Sequence, residues 1–320
     1  MFASRDRLCP GAITGACIKA NWSLRYWKSF TRTLHRKWKP VTCMLFLLVL
    51  ATYFLGMKTL FTTLPHQLRL KQVDFQPIPY TRLGKCDPKP DGSIYCPDIR
   101  KKGSTSLRRA QLVLTRVLRI FDIISKKHGI KYWLCKGTLL GAVRHNGHNP
   151  FDSDVDICIP KAEYQKFIES GVSELPDDIF FQTEDTDVHY KTPPQSGMLG
   201  KLRDTKSCYK YCLRRGCKHE DGLMIDMLVF EKDRDGNFIE LFSHTNWLLR
   251  RFIYGPIIRK ESDIFPLTEM NFDGFSIPAP REWSKILKTY YGDFMRIPYG
   301  APPAFLDSDA LRSCEEIRKS

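Results

Sequence analysis

The sequence predicts an α/β domain of about 215 residues behind a single membrane-crossing segment. Three observations lead there. Leu114, Val117, Leu118, Phe121 and Ile124 recur at helical spacing and run into IKYWLC, residues 130–135, which reads as the first strand of a sheet. Two further apolar runs carry acids in strand-like contexts: DSDVDICI ends the stretch 152–159, and GLMIDMLVF, residues 222–230, has Asp226 at its centre. Val41 to Met57 is uncharged throughout, and the apolar run continues to Leu64 with only Lys58 interrupting it.

The elements follow in order. Residues 1–40 form a basic, Trp-containing tail with nine Lys or Arg against the single acid Asp6. That tail is too long for the n-region of an ordinary signal peptide, and no small-residue cleavage site follows the apolar run. The excess of positive charge ahead of the segment therefore predicts an uncleaved signal-anchor at 41–62, with the tail in the cytosol and the remainder in the lumen. Residues 63–105, rich in Pro, Lys and Gly, read as a stem and lead-in, and 106–320 as the lumenal domain. The Leu114–Ile124 helix should stop at Lys126-Lys127-His128-Gly129, a basic last turn followed by glycine. A glycine-threonine turn at Gly137-Thr138 follows, then a short helix or loop through Leu139–Arg144, a strand at 155–159 ended by Pro160, and a helix over KAEYQKFIES. Residues 179–204 read as interrupted strands, 222–230 as a buried strand, and Arg281–Tyr290 as a helix.

Of the formal net charge of +15, +8 lies in the tail, so the lumenal part has only a mild basic surplus. With no zinc-finger spacing of the nucleic-acid type and no basic stripe interleaved with aromatics, a nucleic-acid partner is not expected. Eight of the eleven cysteines lie beyond the anchor, an even number that permits disulfides in an oxidising compartment. Cys86 and Cys96 bracket a Pro-Asp-Gly turn and make the most plausible local bridge. Cys208, Cys212, Cys217 and His219 crowd into twelve residues and suggest either a zinc site or a disulfide-braced loop, since the spacing matches no standard finger. Asn21-Trp22-Ser23, a sequon on the cytosolic side, should carry no glycan.

The chemistry centres on three aspartates. Strand side chains alternate, so Asp154 and Asp156 share one face while Val155 and Ile157 point into the core. A carboxylate at the centre of GLMIDMLVF is costly unless a cation or a basic partner satisfies it. If the two strands are neighbours, Asp154, Asp156 and Asp226 converge on magnesium, or manganese, which favours carboxylate and phosphate oxygens. The alternative for Asp226 is a buried ion pair with Lys201 or Arg203. Asp152 can complete an outer shell. Gly137 and Thr138 offer backbone N–H groups and a hydroxyl to a phosphate, Arg144 a paired phosphate contact, and His145 a second contact or a structural donor. Lys201 and Arg203 alternate on one strand and can hold a donor or an anionic acceptor.

The segment GTLLGAVRHNGHNPFDSDVDI resembles the signature of the LicD and fukutin-related family, a GTLLG-AVRH block ahead of an aromatic residue and a DDDID-like cluster. GLMIDMLVF, IFPLTEMNFDGFSIPAP and ILKTYYGDFMRIP resemble the family's later blocks, so the likeness runs in order from about residue 110 to 298. It implies a nucleotidyltransferase-like fold related to the polymerase-beta group, a mixed sheet flanked by helices. It also implies transfer of a phosphorylated alcohol, phosphocholine or ribitol phosphate, from a CDP-activated donor to a glycan with a divalent cation. Animal members lie in the Golgi or endoplasmic reticulum. The matching metal positions are Asp154, Asp156 and Asp226. Phe151 stands where tryptophan is common and Ser153 where aspartate is frequent. Two other readings fit an anchored chain with an Asp-x-Asp pair: a sugar-nucleotide glycosyltransferase, and a non-catalytic glycan-binding or accessory protein that keeps the fold.

The topology predicts that protease added to intact microsomes leaves the C-terminal domain untouched until detergent is added. Digestion without detergent would overturn the lumenal assignment.

Overall fold

The spacing of Leu114 to Ile124 produces a 23-residue helix, α1 (Ser106–His128), and the sheet is laid against its apolar face. The computed structural model describes residues 77–152, 154–187, 190, 197–208, 222–240, 258–297 and 311–319. The chain divides into Met1–Val73 and Asp74–Ser320, and all that follows concerns the second unit. The expected anchor at 41–62 lies outside the described residues. Among the described residues no helix is long and apolar enough to cross a membrane.

Thr105 caps α1 by accepting from the Arg108 N–H, and Gly129, at φ 62°, closes it where the basic turn and glycine predicted. Ahead of α1, Cys86 and Cys96 are bonded across a short hairpin, Asp87–Pro88 with Ile94–Tyr95, as the turn sequence predicted. After it come β1 (Trp133–Leu134), α2 (Lys136–His145), β2 (Val155–Pro160) and α3 (Lys161–Lys166). Then follow β3 (Ile179–Gln182), β4 (Met198–Asp204), β5 (Met224–Lys232), β6 (Phe238–Glu240) and β7 (Ile258–Arg259). The expected glycine-threonine turn is instead the first turn of α2, which begins two residues before Thr138. No side chain caps the helix start at Cys135, and Lys136, its first residue, takes the left-handed backbone, φ 48°.

These seven strands form one mixed sheet, the architecture the resemblance implied. Its main path runs β1-β2-β5-β4-β3, and β6 joins β5 to β7. Among the described strand pairs only β2 and β5 are parallel, in the register Val155↔Ile225, Asp156↔Asp226, Ile157↔Met227. Alternation then sorts the faces. Val155, Ile157, Ile159, Ile225, Met227 and Val229 join the main core with α1. Cys158, Leu228 and Phe230, on the face shared with Asp156 and Asp226, join a smaller cluster with Trp133, Phe238 and Ile264.

A hairpin that the sequence reading did not anticipate, β8 (Thr268–Phe272) and β9 (Phe275–Ala279), turns through Asp273-Gly274, both at positive φ. Helix α4 (Trp283–Tyr291) follows, starting two residues after and ending one residue beyond the expected span Arg281–Tyr290. The turn residue Asp273 is a knot for the whole layer: its carboxylate accepts two bonds from the Arg108 guanidinium at 2.8 and 3.0 Å, one from the Tyr80 N–H at 3.0 Å and one from Thr115 Oγ1 at 2.7 Å. Its own N–H donates to the Asn146 carbonyl just past α2. Both Arg108 and Asp273 are buried.

Removing one member of a buried, hydrogen-bonded ion pair leaves the other charge uncompensated, at a cost of about 3–5 kcal/mol. Asp273→Ala should therefore lower the chemical-denaturation stability by that amount, whereas Lys161→Ala, at an exposed pair with Glu231, should change it by less than about 1 kcal/mol.

Candidate active site

The parallel register of β2 and β5 sets Asp156 beside Asp226, and Asp154, just ahead of β2, joins them. A carboxylate oxygen of each lies within 4.8 Å of the other two; Asp156 and Asp226 are buried and Asp154 partly so. The three residues singled out in the sequence therefore converge. The ion pair weighed as the alternative for Asp226 is present as well: Lys201 Nζ, on β4 opposite Asp226, donates to its Oδ1 in a buried contact. The two readings are compatible, because one lysine cannot balance three acids.

The electrostatics reflect that imbalance. Burial, with Asp154 and Asp226 adding to it, pushes the Asp156 carboxyl up to about 8 against the pull of Lys136 and Lys201. Burial also raises Asp226 and lowers Lys201, each held back by the attraction of the other. A metal-free cluster thus keeps a proton that a divalent cation would displace. Three convergent oxygen donors with a surplus of negative charge fit magnesium or manganese.

The surrounding residues set this geometry. Thr138 Oγ1, in the first turn of α2, accepts from the Asp156 N–H at 2.7 Å, tying the helix to the strand that carries the acids. Cys135 and Cys158 are disulfide-bonded, a second tie between the same two elements. Gly137 has no room for a side chain: a Cβ there would stand 1.8 Å from Asp152 Oδ2. Its lack of a side chain thus admits a fourth carboxylate to the rim.

Arg144 and His145 sit at the end of α2. Arg144 donates through Nε to His145 Nε2, through one terminal nitrogen to the Phe294 carbonyl and through the other to Asn149 Oδ1, with its guanidinium 5.9 Å from the Phe151 ring centre. It braces the loop that delivers Asp152 and Asp154. Burial, then Arg144, pushes His145 down to about 4, so the ring is neutral and accepts.

Arg203, expected to contact a donor or acceptor, is 1% exposed, bonded through Nε to Gln182 Oε1 and against Met224 Sδ. Lys201 is likewise enclosed. Both face the interior because β4 is a central strand of the sheet, a placement the strand alternation alone did not reveal. The zinc reading also requires correction: Cys208 is disulfide-bonded, which removes its sulfur as a thiolate ligand. Cys212, Cys217, His219 and Ser153 lie outside the described residues.

The sequence reading missed Lys136, whose ammonium lies 4.0 Å from Asp156 Oδ1, and Tyr291. Burial, then Asp152 and Asp156, pushes the Tyr291 phenol up to about 12. The signal available for Lys136 was its position next to Gly137-Thr138. For the Cys135–Cys158 bond it was that each cysteine stands within three residues of a motif.

The family model described as LicD/FKTN/FKRP, nucleotidyltransferase domain, matches residues 129–282, which hold β1 through β9 and all three aspartates. The match to the LicD family is thus carried by residues 129–282. The lipopolysaccharide cholinephosphotransferase LicD of Haemophilus influenzae is 34% identical over 96 residues, covering 30% of this chain and 32% of that protein. An uncharacterized protein of Rickettsia prowazekii is 26% identical over 215 residues, covering 62% of this chain and 65% of its own. One of Rickettsia typhi is 29% identical over 169 residues, covering 53% and 42%. The chain thus spans from 32% to 65% of the length of these relatives. Among solved structures, the lincosamide antibiotic adenylyltransferase LnuA with lincomycin bound overlays at a TM-score of 0.29 with 14% identity, over 54% of this chain and 83% of that one. An overlay at that score does not establish a shared fold.

Because Asp156 holds its proton up to about pH 8, manganese affinity should climb as pH rises from about 6.5 and level off above about 8. Cation binding below that range should release a proton, which calorimetry in two buffers of different ionisation enthalpy reads directly. The same raised value means that Asp156 binds a proton in the metal-free fold that it lacks in the unfolded chain, so its own contribution to stability should fall as pH rises from about 4 to about 8, against the opposite contribution of the depressed His145 and His148 between about 4 and about 6.5. Asp156→Asn should flatten both slopes and remove the thermal stabilisation by manganese without lowering the metal-free melting temperature.

Proposed function

We propose that this protein is a divalent-cation-dependent transferase that moves a phosphorylated alcohol, of the ribitol phosphate or phosphocholine type, from a CDP-linked donor to a glycan on a glycoprotein or glycolipid. The observation that carries the reading is the convergence of Asp154, Asp156 and Asp226 within 4.8 Å beside the amino end of α2, in a domain that the LicD family model matches. The name of the Haemophilus relative, a cholinephosphotransferase acting on lipopolysaccharide, supports a phospho-alcohol and a glycan-bearing acceptor. The uncharged run 41–57 and the basic tail support a type II orientation, with the domain in the lumen of the Golgi or, alternatively, the endoplasmic reticulum.

The chemistry is displacement at the phosphorus next to the alcohol. An acceptor hydroxyl oxygen forms the new P–O bond, the bond to the bridging oxygen of the diphosphate breaks, CMP leaves, and the hydroxyl proton passes to solvent or a carboxylate. Asp154, Asp156 and Asp226 would hold the cation, which when bound neutralises charge on the transferred group. Lys201 donates to Asp226 and opposes the rise that burial imposes on it, Thr138 fixes where β2 starts, and Arg144 holds the loop carrying Asp152 and Asp154. Each acts before the donor arrives, so the site is pre-organised rather than assembled by substrate.

Released nucleotide should be CMP from CDP-alcohols when a glycan acceptor is present. Replacing Asp154, Asp156 or Asp226 with Asn should slow turnover at least about a hundredfold, and double replacements should not multiply that loss, because the three act as one unit. Asp152→Asn should be milder. UDP or GDP released from sugar nucleotides, with no CMP from CDP-alcohols, would decide for a glycosyltransferase. Should Asp226→Asn fold and turn over within a few-fold of wild type, Asp226 serves the Lys201 ion pair alone.

A further inference from the structure

We propose that Lys136 is the residue that takes the diphosphate of the nucleotide-linked donor, an inference that rests on the transferase reading above. Three non-glycine residues among those described have a left-handed backbone: Lys136 at φ 48°, Asn146 at 52° and Asp273 at 55°. Asn146 ends α2 and Asp273 sits in a two-residue hairpin turn, and both are of the short polar type that tolerates this conformation. A lysine gains no such local compensation. Strain of this kind persists only where the surroundings over-determine it.

They do so here from both sides. Cys135 is bonded to Cys158 and donates its N–H to the Asp156 carbonyl. On the other side the Asp152 carboxylate lies directly against Gly137, in the space a side chain there would take. A glycine at 136 would meet this backbone freely, yet the chain carries a long cationic side chain there.

That side chain reaches the acidic cluster from the open side. Its ammonium is 4.0 Å from Asp156 Oδ1, beyond hydrogen-bond length, and the side chain is 30% exposed, whereas Lys201 is wholly buried on Asp226. The two lysines therefore differ in kind. Lys201 is a committed partner, while Lys136 is a loosely held cation at the mouth. A divalent ion on the aspartates repels the ammonium, and the phosphate oxygens that accompany a donor attract it, so Lys136 turns from Asp156 to the diphosphate as a flexible point charge.

The test uses the full-length protein in detergent, with CDP plus magnesium as the probe for one titration and manganese alone for the other. Lys136→Met should weaken CDP binding by about tenfold or more and Lys136→Arg by no more than about threefold. Manganese affinity should be unchanged or tighter in Lys136→Met, because a competing cation has gone. Lys136→Gly should lose CDP affinity like Lys136→Met yet melt no lower than wild type, since glycine relieves the backbone. CDP binding by Lys136→Met within about twofold of wild type overturns the inference and leaves the transferase reading standing. Loss of manganese affinity in parallel with CDP also overturns it, assigning Lys136 to the metal cluster. Wild-type protein that binds no CDP sinks the transferase reading, and this inference with it.

Discussion

Asp156 and Asp226 lie side by side on parallel neighbours, and the surrounding structure is organised to hold that repulsive pair in place. Two ionised carboxylates in a poorly solvated interior are unfavourable by themselves, and Asp154 makes the arrangement worse. The domain answers with the buried cation of Lys201, with a proton kept on Asp156, and with bonds that prevent the strands from separating. Thr138 holds the Asp156 backbone, and the Cys135–Cys158 bond joins the residue before α2 to the strand carrying the acid. The negative charge left over is what makes the cluster a cation site rather than a closed ionic network.

Rigidity around the cluster comes from farther away. The β8–β9 hairpin carries none of the three acids, yet its turn residue Asp273 joins Arg108 and Thr115 of α1, the Tyr80 backbone and the carbonyl of Asn146 beyond α2. His148, pushed down to about 4 chiefly by burial, stays neutral beside Thr115 and packs against Phe272. The loop between α2 and β2 is therefore anchored at Asn146 and His148 by the hairpin and at Asn149 by Arg144. Asp152 and Asp154 emerge from a segment held at both ends. Residues in the family-like blocks at 264–280 and 286–298 thus support the site without entering it, apart from Tyr291 at its edge.

Much of the fold could be read directly. The 3.6-residue period of Leu114–Ile124 and its Gly129 stop gave the correct helix, because a surface helix must keep one apolar stripe toward a sheet. The alternation in DVDICI correctly assigned Val155 and Ile157 to the core and Asp156 to the other face. Gly137-Thr138 was read as a turn but lies in the first turn of α2, since the left-handed Lys136 that starts the helix leaves no compositional mark. Arg203 was misjudged for a related reason: its neighbours on β4 show that it alternates with Leu202, but both faces of that strand are covered.

By itself the sequence determined which residues share a face, where the helices stop, which strands carry acids and which family the motifs resemble. Those are local properties, encoded in spacing over a few residues. The tertiary structure alone decided that β2 and β5 are parallel neighbours in the register that opposes Asp156 to Asp226, although about seventy residues separate them. It also decided that Lys201 faces Asp226 across an antiparallel pair and that Cys135 meets Cys158. A slip of one residue in either pairing would turn the acids toward the opposite face with no change in local pattern. Register is set by the packing of the whole sheet against α1, and that is why the site's membership could be proposed from spacing but its geometry could not.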